Sequence, residues 1–473
     1  MLTLYTPATG FPDLDVKIAY GLTRVGIEAF GIESVAIHYE GGFYRVTFDI
    51  DKNDFEKLNK MFNLLCQRLL FSTYIPFSTP GIAGRSAESV TVNENESFSL
   101  DFYKSFTIIA KNKKGENVCR HEFDHIGNVI GFTVATSFHN KRDGVDIQLQ
   151  YKNPKDKNSP KLPRRPTNPK NICKTCGLLA LLGIWYTSFI FNVARKEVIV
   201  IPIPKGNVSG RKLQEIFALQ HQIRKEWFNQ DIPQVLIPLV FLSKIPSSAD
   251  ILKGFDLFIA ILSRKQGYHV DRIFLIPIEN YLKFIRGTPY NIATIDNILT
   301  QKAYAALQEL NNTIYNLNKT SILKFARLYV QETSPKKGDW VNLLYPETVR
   351  YLLKEVAMIS LEIIENPALG SLARTLRYFI REKKYGYADD IRNARKESRD
   401  FEETIAKMLR EGRLRLEQKE QIHLPTDEEV KKVFRLANED FESTKLALVM
   451  LAFSFPSRTE ETMETLEEIQ GVK

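Results

Sequence analysis

The run CKTCGLLALLGIWYTSFIFNVA, residues 173–194, decides how the rest of the chain is read. Residues 177–194 are apolar and lie between Lys174 and Arg195, long enough to suggest a bilayer span. Thr187, Ser188 and Asn192 interrupt the run and apolar strand-like segments surround it, so the expected structure is a helix buried in a globular core. Upstream, residues 152–176 hold five prolines and eight Lys or Arg against one acid. Missing amide donors and crowded positive charge favour an extended, solvated backbone that needs an external partner to hold it. Two partners suit it: a polyanion facing Lys161, Arg164, Arg165 and Lys170, or a metal ion on the thiolates of Cys173 and Cys176. The plain alternative is a solvated loop with two reduced cysteines.

The full chain has 473 residues, a net charge of +9, 44% hydrophobic and 26% charged residues, values of a globular protein with two large domains or three smaller ones. A basic balance favours encounter with nucleic acid or acidic membrane surfaces without selecting a fold. Four cysteines, at 66, 119, 173 and 176, are too few for a disulfide framework, which points to a reducing cytosol. Residues 1–15 lack a positive segment followed by an apolar one, which argues against export. The expected location is cytoplasmic, with no membrane partner.

Outward from the apolar run, the periodicities predict an α+β fold in three parts: a small α/β domain over 1–110, a mixed β-rich domain over 111–293 and a helical bundle over 294–473. In the first part, residues 16–30 and 54–71 show helical spacing, and residues 34–50, turning at Gly41-Gly42, read as a hairpin. Strands are expected at 97–110, 129–138, 145–151, 197–203, 235–242 and 272–278, with helices at 211–228 and 250–263. From residue 294 the 3.6 period dominates, broken only by short Pro, Gly or Asn punctuation.

Four cysteine or histidine side chains can supply a structural zinc site: Cys173 and Cys176 with Cys119 and His121, which share a face if 119–121 is a strand. On residues 368–384, Arg374, Arg377, Arg381 and Lys384 recur at steps of three and four, a positive stripe suited to phosphates or, in the plainer reading, a solvated face. Lys111, Lys113 and Lys114 precede a turn at Gly115, and Arg211 and Lys212 open a helix after Gly206 and Gly210, where exposed amides and cations can hold phosphate. No P-loop and no GxSxG elbow is present, and Asp389-Asp390 reads as the first turn of a helix rather than a metal hairpin. Two other classes stay open: an enzyme acting on nucleic acid with dispersed carboxylates such as Glu122, Asp124 and Asp146, and a structural adaptor.

With Cys173-Lys174-Thr175-Cys176-Gly177 leading into an apolar helix, and a bundle carrying the Arg374, Arg377, Arg381 and Lys384 stripe, the chain resembles the large subunit of a type I CRISPR surveillance (Cascade) complex, nearest the archaeal type I-A form. The resemblance implies a non-catalytic role beside CRISPR RNA: recognising the protospacer-adjacent motif in target DNA, stabilising the opened strands, and docking other Cascade subunits and the CRISPR helicase and nuclease. Sequence reading is then delegated to base pairing, so the protein needs charge and rigidity instead of a reactive centre.

Overall fold

A computed structural model describes residues 1–7, 12–70, 98–104, 109–111, 117–119, 149–151, 161–163, 174–193, 196–223, 232–245, 250–264, 268–335 and 340–456. Two compact units emerge, Met1–Asp231 with Asp250–Ile278, and Ile232–Ala249 with Glu279–Lys473. The fold is α+β, as the periodicities predict: antiparallel sheets with helices in the first unit, helices in the second. No helix among the described residues is long and apolar enough to cross a membrane.

The first unit has strands β1 (Leu2–Tyr5), β2 (Val35–Tyr39), β3 (Tyr44–Phe48), β4 (Ile109–Lys111), β5 (Asn117–Cys119), β6 (Leu149–Tyr151), β7 (Lys161–Pro163), β8 (Phe189–Val193), β9 (Lys196–Pro204), β10 (Val208–Ser209), β11 (Phe255–Arg264) and β12 (Tyr268–Pro277). Its helices are α1 (Pro12–Phe30), α2 (Phe55–Leu70), α3 (Asp101–Lys104), α4 (Lys174–Thr187) and α5 (Gly210–Ile223). One sheet has the order β1-β3-β2-β10 and a second the order β12-β11-β9-β8, with β4-β5 and β6-β7 as separate pairs. The β2–β3 hairpin turns on Gly41 and Gly42, whose φ angles of 74° and 140° favour glycine.

Helix α4 takes most of the apolar run and lies in the core, with Leu178, Leu179 and Ile184 fully buried. It packs against α1 so closely that a Cβ on Gly21 would strike the Leu179 carbonyl, and one on Gly183 the Lys17 carbonyl. The end of the run departs from the expected helix: Phe189–Val193 is strand β8, antiparallel to β9. In the second sheet β11 lies between β9 and β12, and Leu257–Ile261 are all fully buried. A central strand covered on both faces reads as a continuous apolar run, without the alternation that marks a half-exposed strand.

That ambiguity explains two exchanges of type. Residues 250–263, expected as a helix, carry strand β11, and residues 235–242, expected as a strand, carry a short 3-10 turn and then α6 (Ile237–Ser243). Pro238 sits in the first turn of α6, where its missing N–H costs nothing, whereas inside a central strand it would break the ladder. Within 97–110, also expected as strand, Asp101–Lys104 is helical.

The second unit comprises α6, α7 (Glu279–Gly287), α8 (Pro289–Gln301), α9 (Tyr304–Tyr315), α10 (Lys319–Thr333), α11 (Pro346–Tyr351), a π-helical stretch Leu352–Val356, α12 (Leu361–Ile364), α13 (Pro367–Arg381), α14 (Gly386–Asn393), α15 (Asp400–Glu417), α16 (Asp427–Glu439) and α17 (Phe441–Ala452). Side-chain caps start several of them: Thr288 on α8, Asn318 on α10, Asn366 on α13, and a Thr426/Glu429 capping box on α16. Helix α9 packs on α10, and α13 is covered by α17 and α16.

Candidate anion-binding cleft

In the first unit, β9 ends at Pro204 and the chain turns through Lys205, Gly206 and Asn207 into β10 and α5. Facing this turn is the segment Lys253-Gly254-Phe255 that opens β11; Gly254 has φ +88°, and the Lys205 amide donates to its carbonyl at 3.1 Å. Between the two walls lies a cleft of about 530 Å³ whose lining residues include Lys205, Asn207, Ser209, Lys212 and Lys253. The start of α5, just past the first wall, is fixed by close packing, since a Cβ on Gly210 would strike the Ile32 carbonyl. Ser209 Oγ accepts from the Lys212 amide at 3.3 Å and so caps α5.

The three lysines differ in their local partners. Lys205 Nζ lies 2.9 Å from Asp256, and Lys212 Nζ donates to the Asp250 carbonyl at 2.9 Å with Glu215 3.7 Å away. Lys253 is exposed and forms no ion pair with a described residue. His38 Nδ1 is 2.8 Å from Asn207 Oδ1, and its Nε2 is 3.1 Å from Thr47 Oγ1, so the ring ties the cleft loop to β3. Of the two cations expected at this helix start, Lys212 lines the cleft, while Arg211 turns to Glu33, donating from Nη2 at 2.6 Å and from Nε at 3.1 Å. The reading from residues passed over Lys205 and Lys253, yet each precedes a glycine, at 205–206 and 253–254, a spacing that marks a lysine presented on a turn.

The expected stripe on α13 is not continuous. Arg377 is only 4% exposed and its Nη2 donates to the Leu451 carbonyl at 3.0 Å, tying α13 to α17. Lys384, past the end of α13, lies 3.1 Å from Glu411. The same carboxylate accepts from the Tyr387 hydroxyl at 2.6 Å and faces Arg415 at 3.7 Å, and the Tyr387 hydrogen bond, with those cations, holds it below the usual carboxylate range. Arg374 is half-buried, leaving Arg381 as the exposed member of the set. Three- and four-residue spacing puts cations on one side of a helix but does not say whether another helix covers that side; here α17 does.

Charge along the chain reinforces the contrast. Residues 1–278 hold 35 Lys and Arg against 26 Asp and Glu, whereas residues 279–473 hold 30 of each. The whole +9 therefore resides ahead of residue 279, and the helical unit, which also takes in Lys244 on Ile232–Ala249, is within one charge of balance.

Of the expected zinc ligands, Cys176 is fully buried on α4 with Sγ 2.9 Å from the Tyr103 hydroxyl oxygen, and Cys119 pairs with Ile109 across β4 and β5. His121 and Cys173 lie outside the described residues, and among the described residues no group of three or more His, Cys, Asp or Glu is placed to hold a metal. Lys111 is on β4 and Lys161 on β7; Lys113, Lys114, Arg164, Arg165, Lys170 and the carboxylates Glu122, Asp124 and Asp146 lie outside the described residues. Asp389 belongs to helix α14, 3.5 Å from Arg327 and 3.6 Å from Arg392, and Arg327 stacks 3.5 Å from the Tyr385 ring centre. Compared with known proteins, the chain matches no family model and no curated protein.

Proposed function

We propose that this chain is a non-catalytic, nucleic-acid-binding large subunit of a type I CRISPR surveillance complex, contacting guide RNA and target DNA chiefly through residues 1–278. The observation that carries the reading is the charge partition: an excess of nine cations over residues 1–278, some of them gathered around a cleft, against equal numbers of cations and anions over residues 279–473. Lysine and arginine excess of this kind supplies the sequence-independent, salt-sensitive share of binding to a phosphate backbone. A balanced helical unit suits contacts with protein partners, in this reading the helicase and nuclease. Motif recognition and strand opening belong to the same proposal. No step of it runs through a zinc ion.

Affinity purification of the full chain from its native host tests the proposal. The expected result is co-purification of RNA of one fixed length together with a protein that repeats along it. Recovery of the chain with neither overturns the assignment to a surveillance complex.

A further inference from the structure

The cleft has a chemistry narrower than general basicity. Lys205, Lys212 and Lys253 all line one cavity, and the groups that hold the first two ammonium ions, the Asp256 carboxylate and the Asp250 carbonyl, belong to residues outside that lining. With its Oδ1 held by His38, Asn207 has its amide NH2 left to donate. Ser209 Oγ accepts from the Lys212 amide and so keeps its own proton to give. The lining is thus rich in donors, on walls joined by the Lys205 to Gly254 backbone hydrogen bond, with one wall held in place by β10 pairing with β2. About 530 Å³ accommodates a phosphate with its attached sugar and not a length of duplex. The helix start behind it is already capped and is not needed as a ligand.

We infer that this cleft seats a single phosphate group of a single-stranded nucleic acid, held by Lys205, Lys212 and Lys253, and so anchors one defined position of the strand. The inference rests on the nucleic-acid reading above and adds a site to it. Because Lys253 has no ionic partner among the described residues, replacing it removes charge from the ligand without breaking a tie within the fold.

The test is fluorescence anisotropy of a labelled single-stranded oligonucleotide over a series of salt concentrations, using the full chain. Lys253→Ala and the double variant Lys212→Ala/Lys253→Ala are compared with Lys57→Ala/Lys60→Ala, which removes equal charge from α2 in the same unit. The cleft double variant is expected to lose about tenfold in affinity at low salt and about 0.7 in log–log salt slope for the lost phosphate contact, and the α2 variant less than twofold. Lys253→Arg is expected to retain wild-type affinity. Unchanged melting temperatures establish that the variants fold; were the double variant to melt early, Lys253→Ala alone carries the comparison. Equal losses from cleft and α2 variants overturn the anchor while leaving nucleic-acid binding in place. Absence of any oligonucleotide binding by the wild type overturns the underlying reading as well. Displacement of the oligonucleotide by millimolar inorganic phosphate in the wild type and in Lys253→Ala alike also counts against a defined phosphate seat.

Discussion

Lys17 carries its ammonium group fully into the core of the first unit, on α1 and 3.6 Å from Asp13. Burial strips its hydration and lowers its pKa from 10.5 to about 8, a shift that Asp13 only partly opposes. Between those two values the unfolded chain keeps a proton that the native chain has released, so this group makes stability rise with pH across that window. Tyr20, Tyr44 and Cys66, whose pKa values burial raises, act in the opposite direction at higher pH, because the unfolded chain loses those protons first. Denaturant titrations at pH 7.5 and 9 should show the wild type gaining about 1 kcal/mol relative to Lys17→Met, from about 1.4 kcal/mol per pKa unit. A parallel response of both proteins would mean that the ammonium is solvated. The glycines of the α1–α4 crossing are as exacting: Gly183→Ala sets a methyl group against the Lys17 carbonyl, and a loss of about 3 kcal/mol, read as a lowered melting temperature, is expected.

At the level of elements, α13 separates charge left on the surface from charge that holds the fold together. Arg377→Ala removes a buried, charged donor from the Leu451 carbonyl and should cost about 2 kcal/mol of stability, whereas Arg381→Ala on the exposed last turn should stay within about 0.5 kcal/mol. Chemical denaturation distinguishes the two, and neither change should alter the salt slope of nucleic-acid binding. On α16, Thr426→Ala breaks the capping box and should cost about 1 kcal/mol in the same assay. Helix α2 and strand β2 could be read from the chain because each has one buried face and a clear period: Phe55, Leu58 and Phe62 recur on α2, and Val35 and Ile37 alternate on β2, while α1 keeps the helical spacing of Ile18, Leu22 and Val25 although it is buried on nearly every side. β11 and α6 could not, since residues 257–262 and 237–242 are unbroken apolar runs in which neither a period of two nor one of 3.6 can be seen.

Across the whole molecule, the charge excess ahead of residue 279 makes a prediction that needs no variant. Ultraviolet cross-linking of the full chain to bound nucleic acid, followed by peptide mapping, should place the adducts in residues 1–278. Adducts concentrated on α13 to α17 would return the interface to the helical part and refute the assignment drawn from charge. The cleft was half legible: Lys212 stood out beside two glycines, whereas Lys205 and Lys253 lie 48 positions apart and meet only because antiparallel pairing of β9 with β11 brings their turns together.

Amino-acid order alone established the α+β character, the burial of the apolar run, seen at residues 178–184, and the uneven distribution of charge, since composition and periodicity are properties of the chain itself. Which cations face solvent was settled by packing: Arg377 was taken into the core under α17, Lys384 was engaged by Glu411, and two remote turns were joined into one lysine-lined cleft. Exposure depends on which second surface covers the first, and that surface comes from a distant part of the chain.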